Sequence, residues 1–416
     1  MTRTATRPAD GKRFNPESLR RMFPLLAAAG KHLHYLDNAA TTHKPAAVID
    51  AIGNCYTQRY AAVHRGLYDL AAAATEVYEA ARSTIGSFLG AASDADIIFT
   101  RGATESINLA ATGWARNRLR AGDEVWVTAM EHHSNFLPWQ AVCKASGARL
   151  RILHCDAHGV LQELPPPSSR HVGLFAITHV SNVLGIINPI AALIRQAHER
   201  GIPVLVDGAQ AIGHIPVDVG DLGCDFYAFS AHKMYGPTGI GVLYANAARR
   251  AEMQPLLLGG GMVDEVGADD SSWLPAPARF EAGSPNLAGA AGLAEAARFI
   301  EAHMPEEAQE HVRRLRDEAI WGLEEIPGVV VYGPPANARQ YAGIVAFNVE
   351  EIHPHDVAQT AASAGVALRA GHHCCQPLMR VLATRATLRA SFAPYNTHAD
   401  VAALLQAIEQ AIAAFR

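Results

Sequence analysis

Between residues 95 and 245, short and almost continuously apolar runs alternate with stretches of helical periodicity. No other feature narrows the fold as much. DIIFT (96–100) precedes TESINLAATGWARNRL, and DEVWVTAM (123–130) precedes FLPWQAVCKASG. RLRILHC (149–155), VGLFAITHV (172–180), the helical IAALIRQAHERG, IPVLVDGA (202–209), DFYAFS (225–230) and GIGVLYA (239–245) follow. Strands that are apolar on both faces, separated by helices, predict an α/β chain with a mostly parallel sheet covered on both sides. The last strands follow one another without a long helix, which predicts an antiparallel pairing at one edge.

After Gly260 the pattern changes. GGGMVDEVGADDSSWLPAPARFEAGSPN has no periodicity and reads as loop or hairpin. Helical LAGAAGLAEAARFIEAH and EEAQEHVRRLRDEAIWGLEEI come next, then strand-like VVVYG, GIVAFNVE, VALRAG and TLRASF, and a final helix HADVAALLQAIEQAIAAF. These make a second, smaller α/β domain of about 120 residues. The expected division is an N-terminal tail and small-domain segment (1–30), a large domain (31–288) and a small C-terminal domain (289–416). PPPSS (165–169) is a loop.

Composition excludes several classes. With 49% hydrophobic residues and a net charge of −5, the chain is not mainly disordered and has no electrostatic call for nucleic acid or an anionic membrane. No apolar run approaches the roughly 18 residues of a membrane span. The start, MTRTATRPADGKRF, lacks the apolar core of a secretory signal and reads as a frayed cytosolic tail rather than a transit peptide. Six cysteines in 416 residues do not form a disulfide framework, so a reducing, cytoplasmic compartment is expected. Of the 35 basic residues only five are lysines, and beyond Lys144 the single lysine is Lys233. Chemistry that needs an amine has few candidates.

Asp207 ends the apolar run VLVDGAQ, at the strand terminus where open α/β sheets place ligand-binding groups. It could instead cap the following helix. Lys233 lies 26 residues further on, among Tyr227, Phe229, Met234 and Tyr235, surroundings that lower an ammonium pKa and yield a nucleophilic amine. The alternative is a lysine snorkelling from a loop. An aspartate and a lysine at strand ends meet the needs of pyridoxal 5′-phosphate (PLP): the lysine holds the aldehyde and the aspartate keeps the pyridine nitrogen protonated. The phosphate needs donors, and Thr100–Thr104, a glycine turn opening a helix, offers them together with Ser230 and His232.

Two further segments carry chemistry. MEHHSNFLPWQ (130–140) puts His132 and His133 at a strand end, where one imidazole could stack on a flat cofactor. RAGHHCCQPLM (369–379) sets two cysteines behind two histidines, between a strand and a helix, a setting for a nucleophilic thiol. Four consecutive residues cannot surround one ion tetrahedrally, so no metal site is expected. Arg389, in an apolar strand, calls for a carboxylate.

These motifs resemble a cysteine desulfurase of the SUF-linked, selenocysteine-lyase-like subgroup, within the class V, fold-type I PLP-dependent transferases. The resemblance runs through LDNAATT (36–42), AAVHRG, TRGATESINL, MEHHSNFLPWQ, THVSNVLG, VDGAQAIGHIPVDV, FSAHKMYGPTGIGVLY, RFEAGSPN, RAGHHC and LRASFAPYNT, nearly all of the chain after residue 14. It implies a large domain with a mostly parallel seven-stranded sheet and a smaller C-terminal α/β domain. It implies Lys233 as the cofactor-anchoring and proton-shuttling amine, Asp207 at the pyridine nitrogen, Gln210 at the ring hydroxyl and His132 stacked on the ring. Ala103, Thr104, Ser230 and His232 would hold the phosphate, with Ser284 donated by the neighbouring subunit of a homodimer. Asn182, Arg389 and Arg369 would hold the substrate, L-cysteine or L-selenocysteine. Cys374 would take its sulfur as a persulfide, releasing alanine and passing the sulfur to an acceptor protein for iron–sulfur cluster assembly. Selenocysteine lyase, another class V aminotransferase or lyase, and a catalytically silent sulfur carrier are the competing readings. The residue after the nucleophile is often small and not a thiol in this family. Here it is Cys375, either a relay thiol or a small core residue.

Overall fold

A computed structural model describes residues 14–64, 66–155, 160–161, 163–168, 171–338 and 340–415. Residues 1–13 of the tail expected over 1–30, Arg65 of AAVHRG and Ser169 of PPPSS therefore lie outside the described residues. Seven strands form the central sheet: β1 (Ile97–Thr100), β2 (Glu124–Thr128), β3 (Arg149–Leu153), β4 (Val172–Thr178), β5 (Val204–Asp207), β6 (Phe226–Ser230) and β7 (Gly241–Ala245). Their spatial order is β1-β7-β6-β5-β4-β2-β3. All pairings from β3 to β6 are parallel, and β7 runs antiparallel to both of its neighbours. The expected antiparallel pairing does close one edge of the sheet, as β1 against β7, with β7 itself one strand in from that edge. Strand β7 inserts between β6 and β1, because β6 returns through a short glycine-rich turn and leaves room for β1 outside it.

This insertion builds part of the site. Gly241 pairs with Thr100 on one side and Ser230 on the other, which brings the turn after β1 against the end of β6. A Cβ on Gly241 would lie 2.5 Å from both Gly102 Cα and Phe229 O, so only glycine lets these backbones close.

The parallel strands are buried because both faces are covered. One face packs Trp126, Phe175, Ile177, Val204, Val206 and Tyr227 beneath the helices Asp69–Leu89 and Leu287–His303. The other packs Val125, Val127, Leu174, Leu205 and Phe226 beneath Ala103–Leu109 and Leu137–Ser146. Every residue of β4 is buried, and each of its large apolar side chains contributes about 1.5–3 kcal/mol.

The C-terminal part is an antiparallel sheet of β8 (Val329–Tyr332), β9 (Ile344–Val349), β10 (Arg369–Gly371) and β11 (Thr387–Ser391) in the order β8-β9-β11-β10. Helices Glu306–Glu325, Pro354–Ser363 and His398–Phe415 accompany it. The stretch read as VALRAG splits: Val366–Ala367 pairs in parallel with His34–Tyr35, and only Arg369–Gly371 joins the sheet. The Gly/Pro/Asp-rich stretch forms a hairpin, Val263–Val266 against Ser271–Trp273. Two apolar clusters join the C-terminal part to the rest of the chain. Leu19, Phe23 and Leu26 from helices Pro16–Arg20 and Pro24–Ala29 pack with Tyr235, Phe299 and Tyr395. Met130, Val183, Leu184 and Ile186 pack with Ala346, Cys375, Leu378 and Met379. The second cluster lies beneath the turn that carries Cys374.

Candidate active site

The C-terminal ends of β2, β4, β5 and β6 bring most of the expected residues together. Asp207 ends β5 and is 5% exposed. One carboxylate oxygen accepts from the Ala209 N–H at 3.0 Å. Burial pushes its pKa up, while the Ala209 N–H and the Lys233 ammonium pull it down. Lys233 closes the short helical turn Ala231–Lys233 after β6. The protein mass around it lowers its pKa by desolvation. Asp207 and Cys374 raise it, and Arg389 and Arg369 lower it further. These groups therefore lie within electrostatic reach of one another.

Gln210 is 4% exposed and donates through Nε2 to Ala39 O at 2.7 Å. Its Oε1 is buried without a partner among the described residues. His132 caps the turn His133–Asn135, and its Nδ1 accepts from the Ser134 N–H at 3.1 Å. Burial first, then the nearby Lys233 and His133, bring its pKa down to about 3, so the ring is neutral. Ser230 Oγ accepts from the Ala103 N–H at 2.8 Å, and Thr104 Oγ1 lies 2.8 Å from Ser134 Oγ. Ser134 was not singled out from sequence; a serine in a turn carries no signal of its own. His232 follows two residues after Ser230, in the turn Ala231–Lys233, and its Nδ1 is 3.2 Å from Thr41 Oγ1. Its carbonyl accepts from Thr41, Thr42 and Lys44. Ser284 is exposed in the loop before helix Leu287–His303.

Arg389, 3% exposed, donates from one terminal nitrogen to Asn182 O at 3.0 Å and from the other to Asp37 at 2.9 Å. Its Nε has no partner among the described residues. Arg369 pairs with Arg389 in the sheet register and reaches the second Asp37 oxygen at 3.5 Å. Asp37 is therefore the carboxylate that the buried arginine called for. It lies in LDNAATT, but nothing in a linear sequence links it to position 389.

Cys374 sits in a turn where His373 and Cys374 both adopt left-handed backbone angles (φ 51° and 54°). Each such non-glycine residue costs on the order of 1 kcal/mol and needs outside support. The support is visible. The His133 N–H donates to Cys374 O at 2.7 Å, Asn182 Nδ2 donates to His373 O at 2.8 Å, and His373 Nε2 lies 2.9 Å from Thr387 Oγ1. Cys374 remains partly accessible while Cys375 is fully buried. The Cys375 thiol donates to Met130 O at 3.2 Å, and burial raises its pKa. Cys375 packs as a small core residue.

No ligand accompanies the chain, and the residues fit PLP on their own chemistry. Asp207 offers a buried carboxylate, Gln210 a buried acceptor without a donor, Lys233 an amine whose charged form is disfavoured, and Arg389 an unused buried donor for a carboxylate. The closely approaching Gly102 and Gly241 leave the turn at Ala103 free of side-chain bulk beside the Ser230 hydroxyl. Among the described residues, no cluster of three or more His, Cys, Asp or Glu could hold a metal ion, and no helix is long and apolar enough to cross a membrane.

A fold of this topology with an Asp–Lys pair at its strand ends defines a PLP-binding class. The profile of the Aminotransferase class-V family matches residues 34–404, and the chain belongs to that family. Its relatives are more specific. A probable cysteine desulfurase of Halalkalibacterium halodurans is 47% identical over 400 residues, covering 95% of this chain and 98% of the relative. A cysteine desulfurase of Escherichia coli is 44% identical over 402 residues, with the same coverage of 95% and 98%. The solved cysteine desulfurase CsdA of Escherichia coli superposes with a TM-score of 0.88 at 41% identity, covering 97% of this chain and 100% of that one. That of Thermococcus onnurineus gives 0.90 at 37%, covering 97% and 99%. The fold is that of the fold-type I PLP enzymes.

Burial makes the site acid-sensitive. His43, His179, His214 and His232 are lowered to about 4, and His132 and His373 to about 3. In the unfolded chain they titrate near 6.5. Between about pH 6.5 and 4 the unfolded chain binds more protons at these positions, so stability falls as pH drops, by up to about 1.4 kcal/mol per pH unit for each histidine. Glu131, raised to about 8, and Asp207, also raised, act in the opposite sense, but the histidines outnumber them. The urea midpoint of the cofactor-free protein should drop clearly from pH 7 to pH 5; a flat midpoint would contradict the neutral-histidine assignment.

Proposed function

We propose that the chain is a PLP-dependent cysteine desulfurase that converts L-cysteine to L-alanine and takes the sulfur as a persulfide on Cys374. The observation that carries this reading is the pinned left-handed turn. It holds an accessible thiol beside the pocket of Lys233, His132 and Arg389. A class-V enzyme that only moved amino groups would have no use for it. The relatives at 44–47% identity support the same reading.

In the net step the substrate Cβ–Sγ bond breaks and an S–S bond to Cys374 Sγ forms. The electron pair of the broken bond stays on Cβ, which takes up one proton, balancing the one that the Cys374 thiol gives up, and becomes the methyl group of alanine. When bound, PLP supplies a conjugated electron sink next to the substrate Cα. Asp207, Gln210, Ala103, Thr104, Ser230 and His232 would hold it, and Lys233 would anchor it covalently. The Lys233 amine, whose charged form burial disfavours, takes and returns the Cα proton. The neutral His132 ring offers a flat face to the cofactor without competing for its protons. Arg389, oriented by Asp37 and Asn182 O, binds the substrate carboxylate through its free Nε–H, with Arg369 and the Asn182 side chain beside it.

The active form in this reading is a homodimer in which Ser284 completes the partner's phosphate site. Tyr56, Tyr60, Tyr68 and the fully exposed Leu67 give the chain an apolar band suited to a second copy. Sedimentation should give twice the chain mass, and a monomer at micromolar concentration would overturn this part. The cytoplasm and an acceptor protein feeding iron–sulfur cluster assembly complete the proposal. With PLP and L-cysteine the purified protein should show a visible cofactor band and form alanine and sulfane sulfur in equal amounts. Amino-group transfer to a keto acid without alanine would overturn it. Asp207→Asn removes a charge-assisted partner worth about 1.5–3 kcal/mol and should weaken PLP binding by about 10- to 100-fold in an absorbance titration. Unchanged affinity would exclude Asp207 from the pyridine nitrogen.

A further inference from the structure

Glu131 is completely buried and takes no part in the chemistry above. Its Oε1 accepts from Thr128 Oγ1 at 2.6 Å, at the end of β2, and from the Thr178 N–H at 3.1 Å, at the end of β4. Its Oε2 accepts from Asn135 Nδ2 at 2.6 Å, and Asn135 Oδ1 in turn accepts from the buried Trp139 Nε1 at 2.9 Å. Among the described residues Glu131 makes no ion pair, and burial pushes its pKa up to about 8, so these hydrogen bonds alone satisfy a buried carboxyl group. Such a group is retained at a cost and has to hold something in place.

What it holds is the segment 130–135, and that segment carries both halves of the site. His132 lies in it. Its backbone also meets the thiol turn twice, through Met130 O accepting from the Cys375 thiol and the His133 N–H donating to Cys374 O. A third contact runs from the Gln376 N–H to His133 Nε2 at 3.4 Å.

We propose that Glu131 is a positioning residue: by tying two strand ends to Asn135 it sets the place of the His132 ring and, through residues 130 and 133, of the Cys374 turn. This rests on the desulfurase reading, and the test separates the two. E131Q keeps shape and one acceptor oxygen but sets an N–H against the Asn135 amide. In E131Q/N135D the new amide donates to the new carboxylate, whose other oxygen still accepts from Trp139. In E131Q we expect kcat to fall about tenfold with KM changed less than about twofold, as for an interaction that orients reacting groups. The visible cofactor band should shift, and iodoacetamide should alkylate Cys374 at least about threefold faster. E131Q/N135D should recover all three. The proposal is overturned if E131Q keeps wild-type kcat, band and alkylation rate, or loses only melting temperature. It is also overturned if the double variant melts as wild type yet recovers nothing. Wild-type protein with no cofactor band would instead sink the functional reading, and the alkylation rates would still decide the role of Glu131.

Discussion

Replacing Cys374 by alanine is expected to lower alanine formation from L-cysteine by about a thousandfold or more, because it removes the thiol that the proposed mechanism assigns as the sulfur acceptor. The variant should bind PLP with an unchanged visible band. Asp207, Gln210, Lys233 and Ser230 hold their positions through β5, β6 and β7, and none depends on the thiol. The turn itself is carried by backbone groups of residues 373 and 374, which alanine retains. Melting temperature should therefore change little. Cys375→Ala should do the opposite: its thiol is fully buried and bonded to Met130 O, so the change costs stability and leaves the first turnover intact. If Cys375→Ala abolished turnover and Cys374→Ala did not, the two thiols would have to exchange roles, against their burial.

Replacing Lys233 by alanine should be equally severe. In the proposed mechanism the amine both anchors the cofactor and moves the Cα proton, and general acid–base catalysis alone is worth about 10²–10⁴-fold. The expected result is a protein without the borohydride-reducible link to PLP and with turnover reduced by about a thousandfold or more. Arginine cannot substitute, since its guanidinium does not give up a proton in a protein. Lys44 is the other amine near this pocket, and burial brings its pKa down to about 8. Its Nζ is committed to the Thr42 and His232 carbonyls. A Lys233→Ala protein that still formed a reducible link would transfer the anchoring role to Lys44.

Much of this was legible in the linear sequence, for identifiable reasons. Strand ends could be read because buried parallel strands are written as unbroken apolar runs, so Asp207, His132 and Lys233 could be assigned to one edge of the sheet before any contact was known. The Cys374 turn was legible as chemistry, since a thiol after two histidines has few structural uses. The place of β7 was not legible, because strand order depends on which edge a short turn leaves free. Asp37 and Arg389 stand at opposite ends of the chain and are brought together by the pairing of residues 36–37 with residue 391. The burial of Cys375 beside a partly accessible neighbour follows from two left-handed residues, a conformation that neither histidine nor cysteine announces. Glu131 was invisible for a similar reason: a lone acid before two histidines reads as solvent-facing until the strands around it are assembled.

The central claim is that the substrate's sulfur passes to Cys374. It is tested most directly by mixing the PLP-loaded protein with one equivalent of L-cysteine, digesting it without reductant, and locating added sulfur by peptide mass spectrometry. The account predicts one additional sulfur atom on the peptide at Cys374, formed in step with alanine and absent from Cys55, Cys143, Cys155, Cys224 and Cys375. Alanine released at the wild-type rate with no sulfur on Cys374, or with the sulfur on another cysteine, would contradict it.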